Sequence, residues 1–195
     1  MQVITNEAIK ELQYRIAGGD QAAFKKLFDY YAENLTRFSF SIVRNRNNAI
    51  EIMDTVFLKL WQNRTALPQI ENLKTYLYTA IKNASLNYLS SKARQQITQG
   101  FDFIDIQLEQ GAGPDQTLIS AEMLKLVHAA VEKLPPRCKM IFKLVREDGL
   151  KYREVAEILN ISTNTVDAQM VIAVKRISEK VRPYFDCFPV VHSKK

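Results

Sequence analysis

The chain has 195 residues, enough for one mid-sized domain or two small ones. Hydrophobic residues make up 47% and charged residues 25%, as in ordinary globular proteins, and only 6 Gly and 6 Pro argue against a turn-dense β fold. Two Cys and two His without ligand spacing argue against a disulfide framework and a metal site. We therefore predict no cofactor. We also predict no enzymatic activity, because no phosphate-binding Gly loop or nucleophile–base arrangement is present.

The net charge of +6 is unevenly distributed. Residues 1–92 hold 12 Lys/Arg against 8 Asp/Glu, residues 93–117 hold 1 against 4, and residues 118–195 hold 14 against 9. Two basic blocks around an acidic stretch indicate two modules that each bind a polyanion, although charge alone fits an ordinary basic surface equally well. Without an apolar signal core or a run of about 18 apolar residues, we expect a cytoplasmic protein that does not insert into a membrane.

The first half of the chain reads as three amphipathic helices. The first begins directly after Asp20, its predicted N-cap, and "RNRNN" at 44–48 is a polar break. A second helix follows over 49–64 until Pro68 opens a loop, and a third covers 73–94. The predicted core faces of these helices are Phe24, Leu27, Phe28, Tyr31, Leu35 and Phe38, then Ile52, Val56, Phe57 and Leu60, then Leu73, Leu77, Ala80, Ile81, Ala84 and Tyr88.

After residue 94 the pattern changes. Residues 95–117 contain three Gly and one Pro, are acidic and have no sustained periodicity, so they read as a linker. Helical patterning returns at Leu118 and stops at Pro135, and a further helix ends at Gly149 in a predicted left-handed conformation. The tail from residue 182 onwards has two Pro and a basic end, typical of a loose terminus.

A helix-turn-helix is predicted at residues 152–177. Asn160 stands where the turn needs a positive φ, and Ser162 or Thr163 can cap the second helix. Successive residues of a helix are rotated by 100° about its axis, so the pattern of apolar residues predicts one buried face of the second helix and an exposed face opposite it. The buried face comprises Val166, Met170, Ala173 and Ile177, and the exposed face Asn164, Ala168, Val171, Ile172 and Lys175.

The exposed face has the chemistry to read DNA. The N-terminal part of such a helix enters the major groove, where Asn pairs with adenine, Asp accepts from cytosine, and Ala or Val touches thymine methyl groups. Lys175 and Arg176 lie farther along and suit phosphates. Two alternatives stay open: the helical hairpin only packs, or Val171 and Ile172 are covered by a protein partner.

These observations predict an all-α fold of two small helical domains joined by a flexible acidic linker, with the helix-turn-helix in the second domain. The predicted boundaries are 1–94, 95–117, 118–182 and a tail at 183–195.

Three segments resemble one family, the extracytoplasmic-function (ECF) group of bacterial sigma-70 factors. "AIEIMDTVFLKLW" (49–61) is similar to its core-binding segment, and "LKTYLYTAIKNASLNYL" (73–89) to the helix that follows. Residues 134–177, from "LPP" to "AVKRI", resemble its promoter-reading region. The resemblance covers about residues 10–92 and 118–180, and the three motifs occur in the family's order.

The resemblance implies a mechanism and partners. The first module would bind the clamp helices of core RNA polymerase and capture the minus-ten element as single-stranded DNA. The second would read the minus-thirty-five element as duplex and meet the polymerase flap. The linker would thread towards the active-site channel, and an anti-sigma factor would hold the protein inactive.

The resemblance also assigns site residues. Those implied for core polymerase are Glu51, Asp54, Phe57, Lys59 and Trp61, of which Trp61 also suits a core position. Those implied for the minus-ten strand are Arg64, Asn72, Lys74, Tyr76, Lys82 and Asn83, with the neighbouring Tyr78 assigned to packing. Those implied for the minus-thirty-five duplex are Arg153, Ser162, Thr163, Asn164, Thr165, Asp167, Ala168, Gln169, Val171, Lys175 and Arg176.

The chain departs from the family pattern where charge is usual. Ile50 and Thr55 replace common acidic residues, Asn87 and Ser90 replace Asp and Arg, and Val171 and Ile172 replace Ser and a basic residue. Since each lost phosphate contact weakens DNA binding, we expect poor DNA binding without polymerase. The main rival is a stand-alone helix-turn-helix regulator, which would bind a palindromic duplex tightly as a dimer.

Overall fold

The computed structural model describes residues 5–95 and 118–186, and the side chains of residues 5–92 and 123–184. Within these ranges the backbone forms helices and no strand, which confirms the predicted all-α class. The elements are α1 (Asn6–Ala17), α2 (Gln21–Val43), α3 (Arg46–Gln62), a 3₁₀ helix (Arg64–Gln69), α4 (Leu73–Gln95), α5 (Leu118–Glu132), α6 (Pro136–Arg146), α7 (Tyr152–Leu159) and α8 (Thr163–Asp186). The predicted linker, from residue 96 onwards, and the tail from residue 187 lie outside the described residues.

The helices form two compact units. The first contains α1 to α4 and the 3₁₀ helix. The second contains α5, α6, residues 152–156 and α8. None of the helices in the described ranges combines the length and hydropathy needed to cross a membrane.

Helix α2 is the centre of the first unit and packs on α1, α3 and α4. Its predicted stripe is buried at Leu27, Tyr31, Leu35 and Phe38, while Phe24 and Phe28 are half-buried. The predicted N-cap is confirmed, because Asp20 Oδ1 accepts from Ala23 N at 3.0 Å. That backbone hydrogen bond and the neighbouring Arg15 guanidinium lower the pKa of Asp20.

The predicted break at residues 44–48 is wrong in length. Arg44 ends α2 in a left-handed conformation with φ of 59°, and α3 already begins at Arg46. Asn45 caps α3 by accepting from Asn48 N at 3.0 Å. A cap of this kind satisfies an orphan N–H group of the first turn, so residues of modest helix propensity can form that turn.

The second unit is built around α8, which packs on α5 and α6. Its core includes Val131, Leu134, Cys138 and Ala173. Cys138 is a free thiol that donates to the Gln169 carbonyl at 3.3 Å, and burial raises its pKa. Helix α5 ends before Pro135, as predicted, and Pro136 occupies the first turn of α6, where its missing N–H costs nothing.

A charged triad joins α5 to α6. The Glu132 carboxylate accepts from Lys143 at 2.8 Å and from Lys139 at 3.1 Å, and the Lys139 side chain is only 7% exposed. Burial disfavours the ionised carboxylate, but the two lysines outweigh this effect, so the pKa of Glu132 is lowered. The triad therefore compensates a lysine that would be costly to bury alone.

The predicted loose tail is wrong for its first residues. Helix α8 continues to Asp186 and contains Pro183. Val181 is buried in the second unit, so the helix keeps an apolar contact beyond the recognition segment. Since proline in a helix interior removes one backbone donor, this packing offsets part of the cost.

Candidate nucleic-acid and protein interfaces

The helix-turn-helix forms at the predicted residues. Helix α7 covers Tyr152–Leu159, and Asn160 has a φ of 53°, as its position in the turn predicts. The Ile161 N–H donates to the Ala156 carbonyl at 3.0 Å, which closes the turn. Ser162, rather than Thr163, caps α8, since its Oγ accepts from Thr165 N at 3.0 Å. Left-handed Asn and a serine cap are local devices, so a short sequence encodes them.

The two faces of α8 separate as predicted. Val166, Met170 and Ala173 are buried, and Ile177 is half-buried. Most of the candidate DNA readers share the opposite side, and Arg153 is exposed on α7. The exposed candidates on α8 and its cap are Ser162, Thr163, Asn164, Asp167, Ala168, Val171, Lys175 and Arg176; Thr165 and Gln169 are half-buried.

The exposed side of α8 is apolar in its middle. Val171 is 61% exposed and Ile172 39%, and Val174, which the sequence analysis did not single out, is 49% exposed. Val174 also lines a groove of about 570 Å³ with Val127 and Phe142, edged by two arginines at residues 146 and 182. Exposed apolar surface of this kind marks a protein contact. The sequence already indicates this exposed apolar surface, because Val171, Ile172 and Val174 fall outside the predicted buried face of the helix.

The outer face of α3 combines acidic and apolar side chains. Glu51 and Asp54 are exposed and line an open groove of about 590 Å³ together with Ile50 and Leu58. Lys59 is exposed on the same helix. Ile50 and Leu58 were not among the predicted site residues, although Leu58 falls off the buried stripe of α3 and could have been found in that way. This face can bind a basic surface through its carboxylates while burying apolar area.

Phe57 is a correction to the predicted polymerase-binding set. It is only 2% exposed, and its ring lies 4.9 Å from the ring of Phe28 and 6.0 Å from that of Phe24. A side chain buried among aromatic rings cannot contact a partner directly, so Phe57 supports α3 from inside. Trp61 is half-buried, with its ring 5.0 Å from that of Phe24.

The segment between α3 and α4, residues 63–72, carries the first candidates for the single-stranded element. The predicted loop contains the 3₁₀ helix, whose Leu67 side chain is buried. The Arg64 guanidinium lies 4.9 Å from the Trp61 ring centre and donates to the Trp61 carbonyl at 3.2 Å. Asn72 caps α4 by accepting from Thr75 N at 3.0 Å. Both predicted residues therefore hold the ends of the segment, and both have limited freedom.

The remaining candidates lie along α4. Tyr76 and Asn83 are exposed and seven residues apart, so they share one face of the helix. Lys74 and Lys82 are half-buried, and Lys82 lies about 15 Å along the helix from Asn72. Tyr78 is buried, with its ring 5.2 Å from that of Phe38, which confirms its packing role. Tyr76 and Asn83 thus share one face of α4, about 10 Å apart along its axis, whereas Lys82 lies off that face.

Among the described residues, no group of three His, Cys, Asp or Glu could hold a metal ion. The surfaces offered by the chain are instead an acidic and apolar face on α3, a segment and helix face with polar and aromatic groups, and a helix-turn-helix. Two helices around a tight turn, with one face of the second helix facing solvent, form the arrangement that helix-turn-helix DNA-binding proteins share.

Comparison with known proteins identifies the family. The model of sigma-70 region 2 matches residues 27–95, and the model of sigma-70 region 4 matches residues 124–177. The chain is also similar to the ECF RNA polymerase sigma-E factor of Escherichia coli strain K12, with 25% identity over 187 residues, covering 92% of this chain and 96% of the relative. The chain belongs to the sigma-70 family, as a sigma factor of the ECF group.

Two solved structures share the fold. The sigma factor RpoE of Bartonella quintana, solved with the anti-sigma factor NepR, matches with a TM-score of 0.57 and 19% identity, covering 82% of this chain and 96% of that one. CnrH, solved with the cytosolic domain of CnrY, matches with a TM-score of 0.54 and 17% identity, covering 93% of this chain and 99% of that one.

Proposed function

We propose that this chain binds core RNA polymerase as an ECF sigma factor and directs transcription initiation at specific promoters, using the two units for two promoter elements. The observation that carries this proposal is the presence of both sigma-70 regions, at residues 27–95 in the first compact unit and at residues 124–177, most of which lie in the second. The role is non-catalytic, because the polymerase performs the chemistry. A protein with this role acts in the cytoplasm, where the polymerase and the chromosome are.

We propose the α3 face as the polymerase clamp site. The support is its composition, since Glu51 and Asp54 lie between the exposed apolar Ile50 and Leu58 along the helix. Carboxylates steer a basic partner surface towards this face, and the apolar side chains beside them add buried area on contact. The groove lined by Val127, with arginines at residues 146 and 182, is our candidate for the polymerase flap, because it is apolar and lies off the recognition side chains.

We propose that the remaining surfaces read promoter DNA. Single-stranded bases stack on aromatic rings and bond to polar groups, which Tyr76, Asn72 and Asn83 can supply at the loop and along α4. The recognition helix meets the duplex through Asn164 and Asp167, which face solvent near its start. We retain the predicted boundaries at 1–94 and 95–117 as part of this proposal, and we extend the second domain from 118–182 to 118–186 because α8 ends at Asp186.

An anti-sigma factor is the further partner that we propose. RpoE of Bartonella quintana was solved with such a factor, and CnrH with the cytosolic domain of CnrY. The exposed Val171, Ile172 and Val174 suit a protein surface better than a phosphate backbone, which supports a partner that covers the reading helix. In such regulation the partner, and not this chain, would supply any attachment to the membrane.

Binding to core polymerase tests the proposal at the α3 face. Reversing two charges, Glu51→Lys with Asp54→Lys, should weaken binding by about tenfold or more, since like charges now face a basic surface. The matched control is Glu33→Lys, an exposed acidic residue on α2. Equal affinity of both variants for the core enzyme would exclude this face as the clamp site.

The alternative function is that of a stand-alone regulator. Duplex binding by the chain alone, compared with binding by its complex with core enzyme, distinguishes the two functions. A regulator predicts tight duplex binding by the chain alone and no gain from core enzyme. A sigma factor with Val171 and Ile172 on its reading face predicts weak binding alone and strong binding in the holoenzyme.

A further inference from the structure

We infer that Lys10 and Gln13 of α1 are positioning residues for promoter melting, which hold the segment 63–72 in the shape that captures single-stranded DNA. This inference rests on the proposed function of that segment. It assigns a role to α1, a helix outside the matched region at 27–95. The residues themselves do not have to touch DNA.

Four hydrogen bonds carry the inference. The Gln13 amide Nε2 donates to the Leu67 carbonyl at 2.7 Å and to the Ile70 carbonyl at 3.0 Å. The Lys10 Nζ donates to the Ile70 carbonyl at 2.8 Å and to the Pro68 carbonyl at 3.3 Å. Because the two donors are three residues apart on one helix face, they meet the same short stretch of backbone.

The carbonyls need such donors because of where they lie. A short helix leaves the carbonyls of its last turn without partners inside the helix, and buried polar groups must be paired. The next regular element, α4, begins only at Leu73. The Leu67 carbonyl accepts one local bond, from the Ile70 N–H at 3.0 Å. Helix α1 adds a second donor there and supplies donors to the Pro68 and Ile70 carbonyls. In this way α1 fixes the path of the chain between the 3₁₀ helix and α4.

The choice of side chains also fits a positioning role. Gln13 is 1% exposed and lies on the apolar face of α1 with Leu12 and Ile16. Its Oε1 is buried and has no hydrogen-bond partner among the described residues, so the side-chain amide bonds only as a donor, through Nε2. An apolar residue would pack at that place without an unpaired oxygen. The hydrogen bonds from this amide to the segment 63–72 explain why a polar residue occupies the buried position.

The anchored segment keeps exposed side chains on its outer side. Leu67 is buried, whereas Thr65 and Gln69 are exposed. Inner bonds and an outer polar surface are what a preorganised binding segment requires, because ordering it on binding would cost conformational entropy. Loosening the inner bonds should therefore weaken capture of the strand and its base discrimination, while α3 continues to bind polymerase.

The test uses the full chain in holoenzyme with core RNA polymerase. The variants are Lys10→Met and Gln13→Met, which keep side-chain length and remove the donors. Lys10→Arg keeps a donor, and Lys26→Met removes the charge of an exposed lysine on α2 as a matched control. The probe is a labelled single-stranded oligonucleotide carrying the downstream element found by run-off transcription. A second oligonucleotide with one changed base measures discrimination.

We expect Lys10→Met and Gln13→Met to lower affinity for the matched strand about tenfold and to reduce discrimination, at unchanged affinity for core enzyme. Lys10→Arg and Lys26→Met should retain both. Unchanged discrimination in both Met variants would overturn the inference, as would a parallel loss of strand and core binding with a lower melting temperature, which means general unfolding. If the wild-type chain binds neither core enzyme nor strand, the proposed function itself fails.

Discussion

The two surfaces that we propose for DNA are built in opposite ways. Helix α8 pairs its own backbone, starts at a cap from Ser162, and is held by buried Val166 and Met170 on its inner face. The segment 63–72 takes donors for its carbonyls from side chains as far as 60 residues earlier in the chain. A regular element thus carries its determinants locally, whereas an irregular one depends on a remote helix.

The largest expected effect would separate the two units. Val166→Asp places a carboxylate at a fully buried site of the second unit, which should cost more than about 4 kcal/mol and unfold that unit. Because the proposed clamp site lies in the first unit, binding to core polymerase should persist, weakened only by loss of the proposed flap contact, while duplex binding is lost. Circular dichroism and a polymerase binding assay measure the two outcomes.

Val166→Ala is the matched control for that change. It leaves a small cavity, should cost about 2 kcal/mol, and should retain a folded second unit with duplex binding in the holoenzyme. Loss of polymerase binding by Val166→Asp would contradict the separation of roles between the units.

The triad in the second unit gives the next effect. Glu132→Gln leaves the buried Lys139 without its carboxylate and should lower the free energy of unfolding by about 1–2 kcal/mol, a moderate value because Glu132 is partly exposed. Adding Lys139→Met should restore most of the loss. The first unit has no part in this triad, so its unfolding should not change.

The same triad predicts a pH dependence. The folded-state pKa of Glu132 is lowered from 4.5, so its stabilising contribution is complete above about that pH and is lost as pH falls through the folded value. Chemical denaturation between neutral and acidic pH should show a smaller loss for Glu132→Gln than for wild type. An equal loss in both would exclude the triad as a source of acid sensitivity.

The apolar reading face gives a smaller effect of opposite sign. Val171→Ser with Ile172→Lys should raise the chain's own affinity for the upstream duplex by about fivefold, because lysine adds an exposed phosphate contact. The slope of affinity against salt should steepen by about 0.9. Val171→Ser alone, as control, should leave that slope unchanged. An unaltered slope in the double variant would show that this face does not approach phosphates.

The two left-handed residues provide the finest comparison. Arg44 at the end of α2 and Asn160 in the turn of the helix-turn-helix have φ of 59° and 53°. Since Asn tolerates this conformation better, Arg44→Asn should stabilise the first unit by about 0.5 kcal/mol and Asn160→Arg should destabilise the helix-turn-helix by a similar amount. Urea denaturation of each variant measures both changes, and a stabilising Asn160→Arg would contradict the argument.

The comparison also explains what could be predicted from sequence. The place of the helix-turn-helix was predictable, because Asn160, the cap and the buried stripe act within one or two turns, although the sequence left the cap open between Ser162 and Thr163. Spacing correctly placed Phe57 on the core face of its helix, whereas the resemblance also assigned it to polymerase binding, which its burial beneath Phe24 and Phe28 contradicts. The bonds from Lys10 and Gln13 could not be predicted, since no local pattern links α1 to carbonyls of residues 67–70.

The predicted helix boundaries were also wrong where contacts outside the local sequence pattern decide them. The break at residues 44–48 was too long because a two-residue junction with one Asn cap is enough to restart a helix. Helix α8 ends beyond the predicted tail boundary because Val181 still packs on the second unit, and proline spacing alone does not reveal that contact.

The most direct test of the central claim is run-off transcription with purified core RNA polymerase from the source bacterium, on a pool of its genomic promoter fragments, with and without this protein. We predict initiation at a defined set of sites that share an upstream and a downstream element, and only when the protein is present. No protein-dependent initiation, together with tight binding of the protein alone to a duplex site, would contradict the account and favour a stand-alone regulator.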